Sequence, residues 1–457
     1  MVAQKNIFNI FVIFLISHLM IWTLLPSLLN VNLPLDTIEA LAWGSNLEWG
    51  FNKHPPTSAV AVEFVYAIFR NQDWAYYLLS QTFVIVTFIY VWKFSQEILK
   101  DKIYSLLSLL ILEGIYFYNY TTPEFNVNIC QLPFWALTVY YFWKSINYNN
   151  NLDWVFFGVF SALGFLSKYI FIYLLITIFI YLFFNFKISK KLIFKYLFSF
   201  SIFLLILSPH FIWLINNDYT TITYGFNRTG LIESNLIDRI INPILFILKQ
   251  IGILLPVFIM IFALIKKIKI KINLKNKKTF FLIFINIVPF LLILLTTIFT
   301  GAKIRTMWMT PFYLFLGILL IDIFKKNISF NNLNKFYKIF LFFFFLSPIL
   351  YLGVSLSDNT KRVDYPGKEI ARLVQNKWDK NFVNKIKIVV GDEWSAGNLS
   401  YHLNSRPVWM NSLKNKITEI KEDQGVIYVG NPKILKKVCP GVFGIIKPVG
   451  FCMIGKK

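Results

Sequence analysis

Apolar residues run in long blocks along most of the chain, and polar residues gather between the blocks. Runs near 7–28, 74–95, 103–119, 128–146, 153–166, 169–185, 195–214, 245–265, 279–299, 307–324 and 336–355 approach the length of a membrane-crossing helix. They predict a polytopic α-helical membrane protein with about eleven transmembrane helices. The alternating strands of roughly ten residues that build a membrane barrel do not occur. From about Ser357 the pattern changes. Residues 367–377 read as a short amphipathic helix, and 385–391 and 425–430 as strands. We therefore expect a membrane domain over 1–356, whose first loop outside the cytoplasm covers 29–73, and a small α/β domain over 357–457.

Composition agrees: 56% of the 457 residues are hydrophobic and 15% are charged, so the chain has far more apolar side chain than a soluble fold could bury. The net charge of +23 does not indicate nucleic acid, because most lysines lie in short loops between apolar runs. With the amino terminus in the cytoplasm, the inside loops collect Lys93, Lys100 and Lys102, Lys144, and the group from Lys187 to Lys195. They also collect the dense run from Lys266 to Lys278, and then Lys325, Lys326, Lys335 and Lys338. The outside loops keep only scattered cations, which is the positive-inside distribution. An odd number of spans then places the carboxyl-terminal domain outside. No small-residue cleavage site follows the first run, which reads as an uncleaved helix. Cys439 and Cys452 share the tail; a disulfide and two unpaired thiols are both open. No internal repeat is visible, which weighs against a transporter built from inverted halves.

On this topology the ionisable groups collect on one side. Asp36, Glu39, Lys53 and His54 lie in the first outside loop, and Glu124 and Asn126 between the third and fourth runs. Lys168 lies at a hairpin, His210 and Asp218 near the end of the seventh run, and Lys303 and Arg305 after the ninth. Charged groups at membrane depth are expensive and usually functional. Lysine and arginine at the lipid–water boundary suit a phosphate headgroup. A nearby carboxylate serves as a general base, a metal ligand or a stabiliser of charge at a sugar carbon. Together they describe group transfer from a lipid-phosphate donor. Neither a phosphate-loop motif nor a dinucleotide-type glycine pattern occurs. Plainer roles compete. Asp36 or Glu39 would also cap a short helix beginning near Asp36, Lys53 would snorkel to headgroups, and Pro55 and Pro56 would open the next helix.

The motifs resemble those of bacterial glycosyltransferase family 39-like proteins, relatives of the dolichyl-phosphate-mannose–protein mannosyltransferases and of the lipid A aminoarabinose transferase. The resemblance rests on Leu35–Gly44 with Lys53-His54-Pro55-Pro56, Leu112–Ile115 with Thr122–Asn128, Gly164–Tyr169, Ser208–Leu214 and Met307–Tyr313. It continues into the tail at Val390–Trp394 and Ser405–Trp409. It implies a GT-C fold and an inverting transfer from a polyprenyl-phosphate-sugar donor. Asp36 matches the family's catalytic acid, Glu124 falls where a second acid is expected, and Lys168 matches a lysine that meets the donor phosphate. Where the aminoarabinose transferase has a glutamate before its Lys-Pro, this chain has Lys53 and His54, which leaves a divalent metal open.

The expectation is an enzyme of the bacterial inner membrane, with Asp36 and Glu124 catalytic and Glu39, His54 and Asn126 supporting. Lys168, Lys303 and Arg305 would hold phosphate, and Lys53, His210 and Asp218 stand nearby. Its partners would be the lipid donor, membrane lipids, and lipid A, another glycolipid or a protein as acceptor. A protein O-mannosyltransferase is the alternative within the class. A lipid-carrier flippase or polysaccharide transporter would need polar groups spread through the bilayer.

Overall fold

The structure is a computed structural model that describes residues 4–185, 190–230, 235–270, 272–358, 360–411, 424–447 and 449–457. The membrane part contains α1 (Gln4–Leu29), α2 (Leu35–Gly44), α3 (Thr57–Phe69), α4 (Asp73–Leu99), α5 (Lys102–Leu110), α6 (Val127–Tyr148) and α7 (Asn151–Ser167). It continues with α8 (Ile172–Asn185), α9 (Lys190–Asn216), α10 (Thr220–Arg228), α11 (Asp238–Leu264), α12 (Lys277–Thr300), α13 (Leu316–Phe324) and α14 (Leu333–Ser357). Each predicted run falls largely on helix. Among the described residues six helices are long and apolar enough to cross a membrane unaided, and a seventh span results if the bent pair Thr306–Tyr313 and Leu316–Phe324 is counted as one.

The remaining runs differ for physical reasons. At about 1.5 Å per residue, α7 and α8 reach ~26 Å and ~21 Å, short of a ~30 Å hydrocarbon core. Helix α6 is longer but carries Asn128, Gln131, Pro133 and Lys144. The run 103–119 is helical only to Leu110 and then breaks into short 3-10 turns. The break coincides with a buried polar cluster. His18 Nδ1 lies 2.9 Å from Glu113 Oε1, and both side chains are buried. Asn119 donates to the same carboxylate at 3.1 Å, and Ser347 donates to Asn119 at 2.8 Å. Groups of this kind in an apolar interior demand one another, so α1, the 113–119 turn and α14 are locked together.

The first loop is itself folded, because α2 and α3 fill most of the interval between α1 and α4. The small carboxyl-terminal domain docks on it. This domain holds α15 (Gly367–Asp379), α16 (Ser395–His402) and α17 (Pro432–Val438) around five strands: β1 (Ile388–Val390), β2 (Val408–Met410), β3 (Val426–Gly430), β4 (Val442–Ile446) and β5 (Val449–Ile454). The sheet order is β2-β1-β3-β5-β4. Strand β1 pairs parallel with β2 and β3, and β5 antiparallel with β3 and β4.

Helix α16 packs flat on α2. A Cβ added at Gly397 would approach Ala42 Cβ to 3.0 Å, so only a glycine permits this spacing without a shift. Polar ties fix the register. Asn32 donates to Asn398 at 2.8 Å, Tyr401 to Asp73 at 2.6 Å, and the backbone N–H of Trp409 to Ser45 Oγ at 2.8 Å. Arg406 reaches the Leu41 carbonyl at 2.7 Å and Glu63 at 2.6 Å, placing a cation at the carboxyl end of α2, where the helix dipole favours it.

Cys439 and Cys452 are disulfide-bonded, with Cα atoms 5.5 Å apart, tying the end of α17 to β5. A loop of this size is worth about 3 kcal/mol in the chain-entropy account. Cys439→Ser is therefore expected to lower the unfolding temperature of the tail by several degrees, and thermal unfolding with and without reductant checks it. A reductant-insensitive wild type would contradict the assignment.

Candidate active site

Helix α2 begins after Pro34, which offers no side-chain cap. The first N–H groups of a helix need outside acceptors. Glu124 supplies one: its Oε1 accepts from the backbone N–H of Asp36 at 3.0 Å. Thr37 Oγ1 donates to the Phe125 carbonyl at 3.1 Å, a second tie between the same two segments. Two acids 88 positions apart are thereby brought together, with Asp36 in the first turn of α2. Burial raises the pKa of Asp36, opposed by Lys168 first and then by Lys53, Arg228 and Arg362. Burial and the neighbouring Asp36 charge push Glu124 up to about 8. Burial and the neighbouring charge thus favour a protonated Glu124 near neutrality.

Lys168 forms the opposite wall, at the carboxyl end of α7. Its Nζ donates to Asn128 Oδ1 at 2.6 Å and lies 4.8 Å from the centre of the Trp308 ring. Asn128 is in place because Asn126 caps α6, accepting from the N–H groups of Asn128 at 2.9 Å and Ile129 at 3.2 Å. Asn126 thus acts through the helix it starts. Burial pulls Lys168 down to about 7, with Asp36 acting against the fall and Arg305 adding to it. An ammonium so placed gains by meeting an anion.

The other predicted residues divide. Lys53 pairs with Glu39 at 2.8 Å and with Glu393 of the tail at 3.4 Å, so its charge is already compensated. His54 lies edge-on to Trp43 and Tyr224, and burial pulls its pKa to about 3, which keeps it neutral. His210 is fully buried, with Nδ1 2.5 Å from the Trp49 carbonyl and Nε2 2.7 Å from the Tyr169 hydroxyl. Both its nitrogens are engaged in fixing the first loop to the Lys168 hairpin. Asp218 is an exposed turn residue at φ +52°. Arg305 faces the site, whereas the Lys303 side chain is exposed and only its backbone N–H bonds inward, to Thr229 at 2.9 Å. Sequence reasoning missed Asn128, Arg228, Arg362 and Glu393. Asn128 and Glu393 lie in quoted motifs, but nothing local marks Arg228 and Arg362.

Among the described residues no group of three or more His, Cys, Asp or Glu side chains could hold a metal ion. Asp36 and Glu124 are two carboxylates among cations, a donor set that does not fit a divalent ion held by protein alone. A protonated Glu124 is closely mimicked by glutamine. Glu124→Gln is therefore expected to stay within about tenfold of wild-type activity near pH 7. Glu124→Ala, which orphans the Asp36 N–H, should lose about ten times more, since an unmet buried donor costs ~1–3 kcal/mol. Paired turnover measurements check this; equal losses would refute the protonated assignment.

Residues 53–213 match the family model described as dolichyl-phosphate-mannose-protein mannosyltransferase. The match takes in Glu124 and Lys168 but begins after Asp36. No curated protein matches the chain in sequence. In fold it is similar to ArnT from Cupriavidus metallidurans bound to undecaprenyl phosphate, with a TM-score of 0.64 at 11% identity, covering 97% of this chain and 98% of that one. The apo form of the same ArnT gives 0.60 at 10% identity, with the same coverage. The resemblance read from the motifs is thus borne out in fold: the chain is a multi-pass membrane protein that shares the fold of ArnT over nearly its whole length and matches the mannosyltransferase model over residues 53–213.

Proposed function

We propose that this protein is an inverting glycosyltransferase that moves a sugar from a polyprenyl-phosphate carrier to an envelope acceptor, lipid A or another glycolipid, at the periplasmic face of the bacterial inner membrane. The observation that carries the reading is the half-buried Asp36–Glu124 pair within electrostatic reach of the buried Lys168. Lys168 and Arg305 would receive the donor phosphate. The acceptor oxygen attacks the anomeric carbon, the bond from that carbon to the phosphate oxygen breaks, and the polyprenyl phosphate leaves with both electrons. A hydroxyl acceptor passes its proton to Asp36; an ionised phosphate acceptor has none to lose, and Asp36 then orients it.

A cavity of about 600 Å³ supports a lipid substrate. It is lined by Thr306, next in sequence to Arg305, by Lys249, Glu113 and Asn119, and by the apolar Ile253, Phe343 and Leu350. The fold shared with an ArnT crystallised with undecaprenyl phosphate points the same way. The match over 53–213 favours a second reading, a protein O-mannosyltransferase-like enzyme.

Mass spectrometry of lipid A and of envelope glycoproteins from a deletion strain separates the two. Loss of a sugar from lipid A is the expected result. An unchanged lipid A spectrum with loss of protein-linked sugar would transfer the assignment to the second reading.

A further inference from the structure

Two side chains of the carboxyl-terminal domain stand at the rim of the site without an assigned role. Arg362 opens a short 3-10 turn, Arg362–Asp364, which follows the last apolar helix. That turn is fixed without the Arg362 side chain. The Val363 carbonyl accepts from the N–H groups of Val31 at 3.0 Å and Asn32 at 2.8 Å, on the segment leading into α2. Lys361 and Asp364 close the turn with a capping bond of 3.0 Å. The Arg362 side chain is therefore not needed to hold the tail in place.

Its guanidinium lies 5.6 Å from the centre of the Trp394 ring. Trp394 packs in turn against Tyr365, with ring centres 5.2 Å apart. The loop carrying Trp394 is tied to the first loop from the other side. Glu393 accepts from Asn52 at 2.9 Å and pairs with Lys53 at 3.4 Å, while Asp392 accepts from the N–H groups of Trp394 at 3.0 Å and Ser395 at 2.7 Å. Both halves of the Arg362–Trp394 pair are thus anchored to the segments that flank Asp36.

Among the described residues the Arg362 guanidinium makes no hydrogen bond and no ion pair, and the residue is exposed. It nevertheless lies within electrostatic range of Asp36 and Glu124, since its charge acts on both. A planar fork of donors, steadied by an indole and left without an acceptor, suits a bidentate oxyanion, and the neighbouring aromatic rings suit the apolar face of a sugar. Lys168 and Arg305, whose charges act on each other, are assigned to the donor phosphate, which leaves Arg362 to the other substrate.

We propose that Arg362 and Trp394 form an acceptor subsite for a phosphorylated sugar headgroup, through which the carboxyl-terminal domain selects what is brought to Asp36. The inference rests on the glycosyltransferase reading.

The test uses the full chain in lipid nanodiscs, with lipid A and phosphatase-treated lipid A as probes and undecaprenyl phosphate as the control ligand. The wild type should bind the phosphorylated lipid at least about tenfold more tightly than the dephosphorylated one, as expected for charge-assisted bonds. Arg362→Gln should abolish that preference, Arg362→Lys should restore part of it, and Trp394→Ala should weaken both lipids. Undecaprenyl phosphate affinity and unfolding temperature should not move in Arg362→Gln. A wild type indifferent to the phosphate, or a variant that keeps the preference, would overturn the subsite. Sugar release from a polyprenyl-phosphate donor, measured on the same samples, separates the two failures. No release from wild type counts against the function, and release with an unaltered preference counts against the subsite alone.

Discussion

Asp36→Asn is expected to lower sugar transfer by at least about 100-fold while leaving donor binding within about twofold, because a positioned acid–base group contributes roughly 10²–10⁴ in rate. The size of the fall is informative. A loss beyond about 10³ marks a hydroxyl acceptor whose proton Asp36 must take, and a loss nearer 10² marks an ionised acceptor that needs orientation only. The variant should fold at least as well as wild type. Glu124 binds the backbone N–H of Asp36, which asparagine retains. Burial raises the pKa of Asp36 above that of the unfolded chain. The folded state therefore binds more protons than the unfolded state just above the unfolded value, and ionising Asp36 subtracts stability as the pH rises through that window. A neutral asparagine removes that penalty. An inactive variant with an unchanged or higher unfolding temperature is the signature of a group kept for chemistry; full turnover would end the catalytic assignment.

The second large effect concerns Lys168. Lys168→Met should weaken undecaprenyl phosphate binding by about 10- to 100-fold, the worth of a charge-assisted contact of ~1.5–3 kcal/mol. It should also change how binding depends on pH. Burial places the Lys168 ammonium at about 7 in the free protein. The charged form, which meets phosphate, is the major form below that value and is lost above it. Wild-type affinity should therefore be nearly level from pH 6 to 7 and fall towards pH 9, with the bound phosphate shifting the midpoint upward. The methionine variant should be weak and flat across the range. Binding titrations at several pH values decide the matter, and a wild type whose affinity rises with pH would contradict the role.

Much of this site was legible in the sequence because membrane burial leaves so few reasons for a charge. Asp36, Glu124 and Lys168 each interrupt or border an apolar run, and the structure brings them together. The same reasoning read α15 and the strands β1 and β3 from periodicity, since each has one face against a core. It read helices beginning near Asp36 and after Pro56, where α2 and α3 lie, but not a folded first loop on which the tail docks, because thirteen mostly apolar residues at Thr57–Phe69 are too few to register as a span. It overrated Lys303 over Arg228 because position along a chain does not state which way a side chain turns. Above all it could not show Arg362 and Glu393. Their meaning depends on a domain more than 300 residues downstream resting on α2, and soluble-domain charges look alike until that docking is known.

That docking has a consequence for when the protein becomes competent. Asp36 emerges during synthesis well before Arg406, Asn398 and Trp409, which clasp the helix that carries it and the residues flanking that helix. A chain made only as far as the membrane domain holds the acid without the clasp around it. Activity would then switch on only once the carboxyl-terminal domain has docked, so a half-made copy in the bilayer could not spend carrier-linked sugar on water.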